Sequence, residues 1–521
     1  MLKTGQTDLT AARVAKGSIY LTFQNVFSTL IGVSGFALMA RMVTTDEMGV
    51  IAGLTLLSSL APLISDFGLN SSILKHVSEL KGRSESISDV ISSAAIFRTA
   101  LSVLIASVVF VMSSSISEIL FKTTGYSYTI KLLSIDAVLL SISPLLNNTL
   151  LGIGRLKERA LYGLVSVVTR WAFIVAFLMT KNGLDGIVIG WILGDVVLLS
   201  LLTISIARIT GLKRQSLQGA KQRILAMLKF AFPLYMSSFV LFIFTWYDKV
   251  LLLVYLPLSN LGLYNTVYTA FSILALIATT MGSALIPYYG MAYGKNDHQA
   301  IGFGMARASR YTMLLIFPLA MGLLAAAKPT LVLFAGPQYE EGWITLTVLA
   351  FFGLTYAITP VLSNILLIYG KTKTILLISL IPVALSLLMI PLIWIMGLTG
   401  LAVMRGASLV FSLIFTFYFV DKLAKIKIDK KVLVGTLIAS TTMAVVMLIL
   451  QQLYIGQLVL LISVLTGGIT YIALIRIQKI LNKDDYELVE DIIGPKLANY
   501  FMKIMGYKPI FTQKVLETGR H

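Results

Sequence analysis

Apolar residues run in blocks of about twenty along nearly the whole chain, and each block ends in a short polar turn. Fourteen such blocks stand near 18–42, 48–68, 90–112, 130–152, 160–180, 185–206, 230–255, 261–285, 307–328, 343–369, 374–396, 400–420, 432–451 and 458–477. About twenty apolar residues is the length a helix needs to cross a bilayer core. No water satisfies the backbone inside lipid, so each block has to close its N–H and C=O groups internally, as a helix does. The pattern therefore predicts an all-α polytopic membrane protein with 14 transmembrane helices. The first block, Ser18 to Met42, is too long for a signal-peptide core and has no small-residue cleavage site behind it. It is expected to remain as the first span.

The blocks also repeat. "SPLLNNTLLGIGRLK" (Ser143–Lys157) and "TPVLSNILLIYGKTK" (Thr359–Lys373) share seven of fifteen positions at an offset of 216. Collinear landmarks extend the match. Lys16 pairs with Lys229, "TTDEMGV" (Thr44–Val50) with "PLSNLGL" (Pro257–Leu263), Phe121 and Tyr126 with Phe334 and Tyr339, and "GLDG" (Gly183–Gly186) with "GLTG" (Gly397–Gly400), at offsets of 213 to 216. Six spans per copy is an even number, so both copies enter the membrane in the same orientation. Parallel repeats of this kind place a substrate path between two halves. The expected organisation is an N-terminal six-helix lobe (1–206), a cytoplasmic linker (207–229) and a C-terminal six-helix lobe (230–420). An extra helix pair (432–477) and a cytoplasmic tail (478–521) follow.

Composition agrees. The 521 residues are 57% hydrophobic and 13% charged, where soluble domains carry about 25% charged residues. The net charge of +18 is explained by its placement. Thirty-three of the 42 Lys and Arg residues fall in the termini and every second connection, four (Arg41, Lys122, Lys181 and Lys328) in the alternate connections, and five inside spans. Such asymmetry is the positive-inside signature. It predicts a cytoplasmic-membrane protein with both termini in the cytoplasm, its basic side against anionic lipid and no nucleic-acid partner. The absence of cysteine removes disulfides, thiolate metal sites and thiol catalysis. His76, His298 and His521 lack metal-ligand spacing, and no nucleotide-binding motif is present, so no metal, cofactor or enzymatic activity is expected. "GIG" (Gly152–Gly154) ends a membrane block and follows no strand, so it is no dinucleotide fingerprint. The tail segment "PKLANYFMKIMGYKP" reads as an interfacial helix with Phe501, Met502 and Met505 on its lipid side.

Two six-helix halves plus two extra helices resemble the multidrug/oligosaccharidyl-lipid/polysaccharide exporter superfamily. Four stretches are similar to its polysaccharide-transporter branch, the Wzx-like flippases of lipid-linked oligosaccharides. They are "KGSIYLTFQNVFSTLIGVSGFALMARMVTTDEMGV" (Lys16–Val50), "SDFGLNSSILKHVSEL" (Ser65–Leu80), "YDKVLLLVYLPLSNLGLYNTVY" (Tyr247–Tyr268) and "LFAGPQYEEG" (Leu333–Gly342). The resemblance implies translocation of a polyprenyl-(pyro)phosphate-linked oligosaccharide by alternating access, with H⁺ or Na⁺ as a coupling cation. A MATE-type organic-cation antiporter and a peptidoglycan-precursor flippase are the alternatives. An antiporter needs cavity carboxylates, whereas the spans here hold five basic against about four acidic residues.

A polyanionic head crossing a bilayer calls for cations at membrane depth, where charges are expensive and face a cavity or a partner. A guanidinium suits phosphate because its planar fork donates two hydrogen bonds. Candidate substrate-binding residues are Arg98, Lys249, Arg310, Arg170, Asn25 and Asn265, and candidate ion-coupling residues are Asp248 and Asp136. The resemblance supports Asn25 and Asn265, because the family's early helices in each half line the cavity. Gln24, Tyr264 and Tyr268 are weaker candidates for the same lining. Internal pairing is the competing reading, with Asp136 against Arg170 and Asp195 against Arg98. Lys131 and Arg405 lie near span ends and are expected to snorkel.

Overall fold

The computed structural model describes residues 4–83, 85–180, 182–211, 219–426, 428–453, 458–482, 485, 486, 490 and 494–504. Lys181, Met505 and the side chain of Phe501 lie outside the described residues. Backbone contacts divide the chain into two compact units, Met1–Thr266 and Val267–His521.

In the first unit α1 (Thr4–Met42) is followed by α2 (Thr45–Asp66), α3 (Leu69–Gly82), α4 (Ser88–Val111), α5 (Ser113–Phe121), α6 (Ser127–Ile153), α7 (Leu156–Met179), α8 (Gly183–Thr210), α9 (Ala220–Tyr255) and the start of α10 (Leu258–Ser283). Thr44 and Glu47 start α2 with a capping box: the Thr44 hydroxyl accepts from the Glu47 N–H at 3.2 Å, and the Glu47 carboxylate accepts from the Thr44 N–H at 2.8 Å. The helix stops at Asp66 because Phe67 (φ 43°) and Gly68 (φ 80°) both turn left-handed. Leu69, Ile73 and Val77 of α3, Leu145 and Leu150 of α6 and Leu202 of α8 form one buried cluster.

The second unit holds the rest of α10, α11 (Ile286–Gly294), α12 (His298–Ala325), α13 (Ala327–Ala335), α14 (Trp343–Gly353), α15 (Thr359–Ile368), α16 (Thr372–Leu387), α17 (Pro391–Asp421), α18 (Lys430–Leu453), α19 (Leu458–Ile477) and α20 (Pro495–Ile504). Phe317, Ala439 and Ile475 form its core together with Tyr486 and Met502. Met502 therefore faces protein, not lipid. Its helix is held against the unit by the tail contacts described below, and a side chain so held is lost to the bilayer.

Twelve helices among the described residues are long and apolar enough to cross a membrane, thirteen with the α14–α15 pair. The expected fourteen falls short at two places. The block 343–369 breaks at a 3₁₀ turn, Leu354–Ala357, and bends by 45° before Pro360. Block 374–396 yields only the short α16, because α17 starts at Pro391 and kinks at Gly397 (φ 55°, ψ −128°). Proline donates no N–H, so each of these breaks falls where the helical ladder already lacks a bond.

The repeat is visible in backbone conformation. Matched glycines share left-handed φ values: 81° at Gly154 and 64° at Gly370, 56° at Gly183 and 55° at Gly397. The matched turns "TTDEMGV" and "PLSNLGL" also meet. A Cβ on Gly49 would stand 2.1 Å from the Leu258 carbonyl oxygen, and one on Gly262 would stand 2.0 Å from the Thr45 oxygen. Each glycine thus lies over the carbonyl four residues before the other, a reciprocal contact that admits no side chain. Close backbone approach at small residues is how helices pack in lipid. Gly262→Ala should therefore destabilise by roughly 1–3 kcal/mol through overpacking. Gly468→Ala, on α19 with nothing within 4 Å of a new Cβ, should be neutral or stabilising by up to about 1 kcal/mol. Thermal midpoints of the purified variants in detergent check the opposite signs.

Candidate functional site

Arg98 is fully buried. Its Nη1 pairs with Asp66 Oδ1, Nε donates to the Ser141 carbonyl at 2.8 Å, and Nη2 donates to the Pro62 carbonyl at 3.3 Å. The partner is Asp66, not Asp195, because α2 ends beside α4 and leaves its last carboxylate there. Ser141 lies three residues before Pro144, next to the Leu140 carbonyl that the proline's missing N–H leaves without a helical donor. The second unit has a similar tie. The carbonyl of Ala357, three residues before Pro360 as Ser141 is before Pro144, accepts from the Thr312 hydroxyl of α12.

A second charged group joins α6, α7 and α8. Arg170 Nη2 lies 3.6 Å from Asp195 Oδ2, and its guanidinium centre is 5.4 Å from the Trp191 ring. Asp136 is fully buried beside Asp195, and neither of its oxygens has a hydrogen-bond donor among the described residues. The sequence pairing of Asp136 with Arg170 thus becomes a group of three, in which Asp195 takes the guanidinium and Asp136 is the extra carboxylate.

Asp248 is buried on α9. Its Oδ2 accepts from the Tyr264 hydroxyl at 2.8 Å, and its Oδ1 accepts from the Lys249 N–H at 2.9 Å. Lys249, half-buried, places its ammonium 4.4 Å from the Trp246 ring centre. Asn265 is half-buried and Asn25 exposed. Arg405 is 3% exposed and donates to the Tyr268 hydroxyl at 3.0 Å, so it does not snorkel. It is fourteen residues into α17, which starts earlier than its apolar block and so carries Arg405 inward.

Arg310 is held by the chain's own tail. Nη1 donates to Asp429 at 2.6 Å, Nη2 and Nε donate to Asp485 at 2.7 and 3.2 Å, and Nη2 also donates to the Ile480 carbonyl. Asp485 is fixed in turn by the Asn482 N–H, at 2.7 Å. Sequence reading missed both aspartates, because they lie outside any apolar block and 119 and 175 residues from Arg310. The acidic run that begins at Asp484 was the available signal. Of the eight candidates the structure brings together Arg170 and Asp136. It sets Arg98 and Arg310 in separate structural networks.

Helices of membrane length, a sequence repeat and paired charges at membrane depth define a multi-pass membrane protein of the transporter type. The model of the polysaccharide biosynthesis protein family matches residues 38–343, and the chain belongs to that family. The probable low-salt glycan biosynthesis flippase Agl15 of Haloferax volcanii is 23% identical over 435 residues, which is 83% of this chain and 88% of Agl15. The structure of the lipid II flippase MurJ in an inward closed conformation is 16% identical with a TM-score of 0.73, covering 88% of this chain and 98% of MurJ. An inward-facing multidrug resistance MATE family transporter of the MOP superfamily is 14% identical with a TM-score of 0.62, covering 78% and 98%. These likenesses show the superfamily fold, and both of the branches weighed above share it.

Three single substitutions and one double variant separate the roles of these charges. Arg98→Leu leaves Asp66 without its cation and should cost about 3 kcal/mol, the usual price of breaking a buried pair. The double variant Arg98→Leu/Asp66→Leu should recover part of that. Asp136→Asn removes an undonated buried carboxylate, so it should hold or raise the thermal midpoint in detergent. Asp195→Asn should lower it by taking the partner of Arg170.

Proposed function

We propose that the chain is a flippase that carries a polyprenyl-(pyro)phosphate-linked oligosaccharide across the cytoplasmic membrane, with both termini in the cytoplasm. The observation that carries this reading is membership of the polysaccharide biosynthesis family, joined by near full-length similarity to a glycan-biosynthesis flippase. The 33-to-4 distribution of basic residues supports the orientation. The proposed working parts are the lobes 1–206 and 230–420, joined by 207–229 and rocking in alternating access. Helices within 432–477 and the tail from 478 stand outside the exchange.

The proposed substrate contacts are narrowed by what each cation already does. Arg98 and Arg310 spend their forks on protein carboxylates and carbonyls, so their part is to hold the helices that carry the path. Arg170, with 29% of its side chain exposed, and Lys249 are the proposed phosphate contacts, and Asn25 and Asn265 are proposed to meet the sugar. Coupling to H⁺ or Na⁺ is assigned to Asp136 and Asp248, and Asp136 is the stronger of the two because a buried carboxylate without donors needs a counter-charge or a proton. The chain does no covalent chemistry on its substrate in this scheme.

The test is a reconstituted assay with a labelled polyprenyl-pyrophosphate oligosaccharide in one leaflet of a liposome. Wild type should translocate the head group and not accumulate a fluorescent organic cation, and Lys249→Ala should slow translocation at least tenfold. Asp136→Asn should keep downhill equilibration but lose dependence on an imposed ion gradient. Cation uptake without lipid translocation would overturn the reading in favour of an antiporter.

A further inference from the structure

Helices α4 and α6 leave a crease on the first unit. Its outer stretch is a hollow of about 530 Å³ lined by Val103, Ser107 and Phe110 of α4 with Ile135 and Val138 of α6. A second hollow of about 300 Å³ follows along the same seam, between Ser88, Ser92 and Ile96 of α4 and Ile142 of α6, with Thr203 and Thr210 of α8 on its far wall. Positions 88, 92, 96, 103, 107 and 110 recur at helical spacing, so the two hollows follow one face of α4 from end to end. At 1.5 Å per residue the 24 residues of α4 span about 36 Å, slightly more than the roughly 30 Å of a hydrocarbon core.

The ends of this crease differ in chemistry. Where the α4–α6 connection lies, Lys131 holds its ammonium 5.5 Å from the ring centre of Phe110, which is itself a wall of the larger hollow. Among the described residues no carboxylate pairs with Lys131, whereas Arg98, Arg170 and Arg310 all have one. At the other end the lining turns to hydroxyls, and the buried Ser88 Oγ has no hydrogen-bond partner among the described residues. Two hollows in line along one face of α4, apolar at one end and rich in hydroxyls at the other, with a cation at the apolar end that no carboxylate pairs among the described residues, are complementary to an anionic lipid with a very long tail. A phospholipid acyl chain covers one leaflet and would fill half of their length.

We propose that the α4–α6 crease is a binding site for the isoprenoid chain of a polyprenyl phosphate, with Lys131 receiving the phosphate at the crease's end. The proposal rests on the flippase reading for its ligand class. In the proposed orientation Lys131 stands at the outer end of α6, so the site adds a place for the lipid once its head group has crossed.

The experiment uses the full chain in nanodiscs and a polyprenyl phosphate with a photoreactive diazirine in its chain. Labelling should concentrate in the peptides that hold residues 103–110 and 134–139. Unlabelled polyprenyl phosphate should displace it at least tenfold better than phosphatidylglycerol does. Lys131→Gln, a change at the rim, should cut labelling severalfold, and Val103→Trp, which fills the hollow from an exposed wall, should abolish it. Labelling that is scattered, or displaced equally by phosphatidylglycerol, would mean bulk lipid only and would overturn the site. Should Val103→Trp fail to fold, the Lys131→Gln and competition arms still decide. Labelling in the crease by a wild type that translocates nothing in the liposome assay would sink the flippase reading and leave the lipid site standing. Translocation with labelling elsewhere would do the reverse.

Discussion

A charge buried among membrane helices has no water to turn to, and much of this structure follows from that. Pro144 and Pro360 sit at matching positions of the two repeats, and in each half the third span reaches the carbonyl three residues before the proline. Arg98 reaches from α4 to the Ser141 carbonyl, and Thr312 reaches from α12 to the Ala357 carbonyl. The donors differ in charge and size while the position they reach is the same. Because the first half uses an arginine, it must also supply a carboxylate, and Asp66 at the end of α2 is that carboxylate. One buried guanidinium thereby ties α2, α4 and α6 together, which gives a charge at membrane depth a structural use.

The second half makes its tie without a charge, and Arg310, 212 residues after Arg98 on the matching span, has another role. Arg310 faces Asp429 and Asp485 and gathers the start of α18 and the segment after α19 against α12. Tyr486 and Met502 then bury their side chains in the same core as Phe317 and Ile475. Helices that stand outside the repeat are made part of the unit by a guanidinium fork rather than by a shared apolar face alone. A fork saturated by two carboxylates and a carbonyl is poorly suited to receive a phosphate as well. Among Arg98, Arg170 and Arg310, Arg170 is the one held most loosely, 3.6 Å from its carboxylate.

The physical basis of what was legible is uneven. Span length and the repeat were plain in the sequence, because a bilayer imposes length and a duplicated chain keeps its glycines; Gly183 and Gly397 differ by one degree in φ. The number of spans was less so. Apolar composition cannot tell a continuous helix such as α6 from the α14–α15 pair, since both contain a proline and only tertiary support decides whether the helix bends. Pairing was harder still. Asp195 is in view as a membrane acid, yet which arginine it meets depends on how α7 and α8 are seated, which periodicity does not encode. Met502 was assigned to lipid because an amphipathic helix has an apolar face, and nothing in that face says whether membrane or protein will cover it.

The charge distribution between the halves carries a further consequence. Asp136, at the offset of the opening repeat, corresponds to Phe352, and no ionisable residue stands at 383–386 or 408–411, where the counterparts of Arg170 and Asp195 fall. The carboxylate pair with its guanidinium belongs to one half alone. In a scaffold whose turns and glycines are otherwise matched, two equivalent halves would bind an ion equally and at two places. A single group gives the coupling proposed for Asp136 one place per chain, on α6, α7 and α8. The same three helices carry Arg170, so a cation arriving at Asp136 would compete with that guanidinium for Asp195. Release of Arg170 from its carboxylate is then the step through which an ion could change the hold on an anionic substrate, with no contact between the two ligands required.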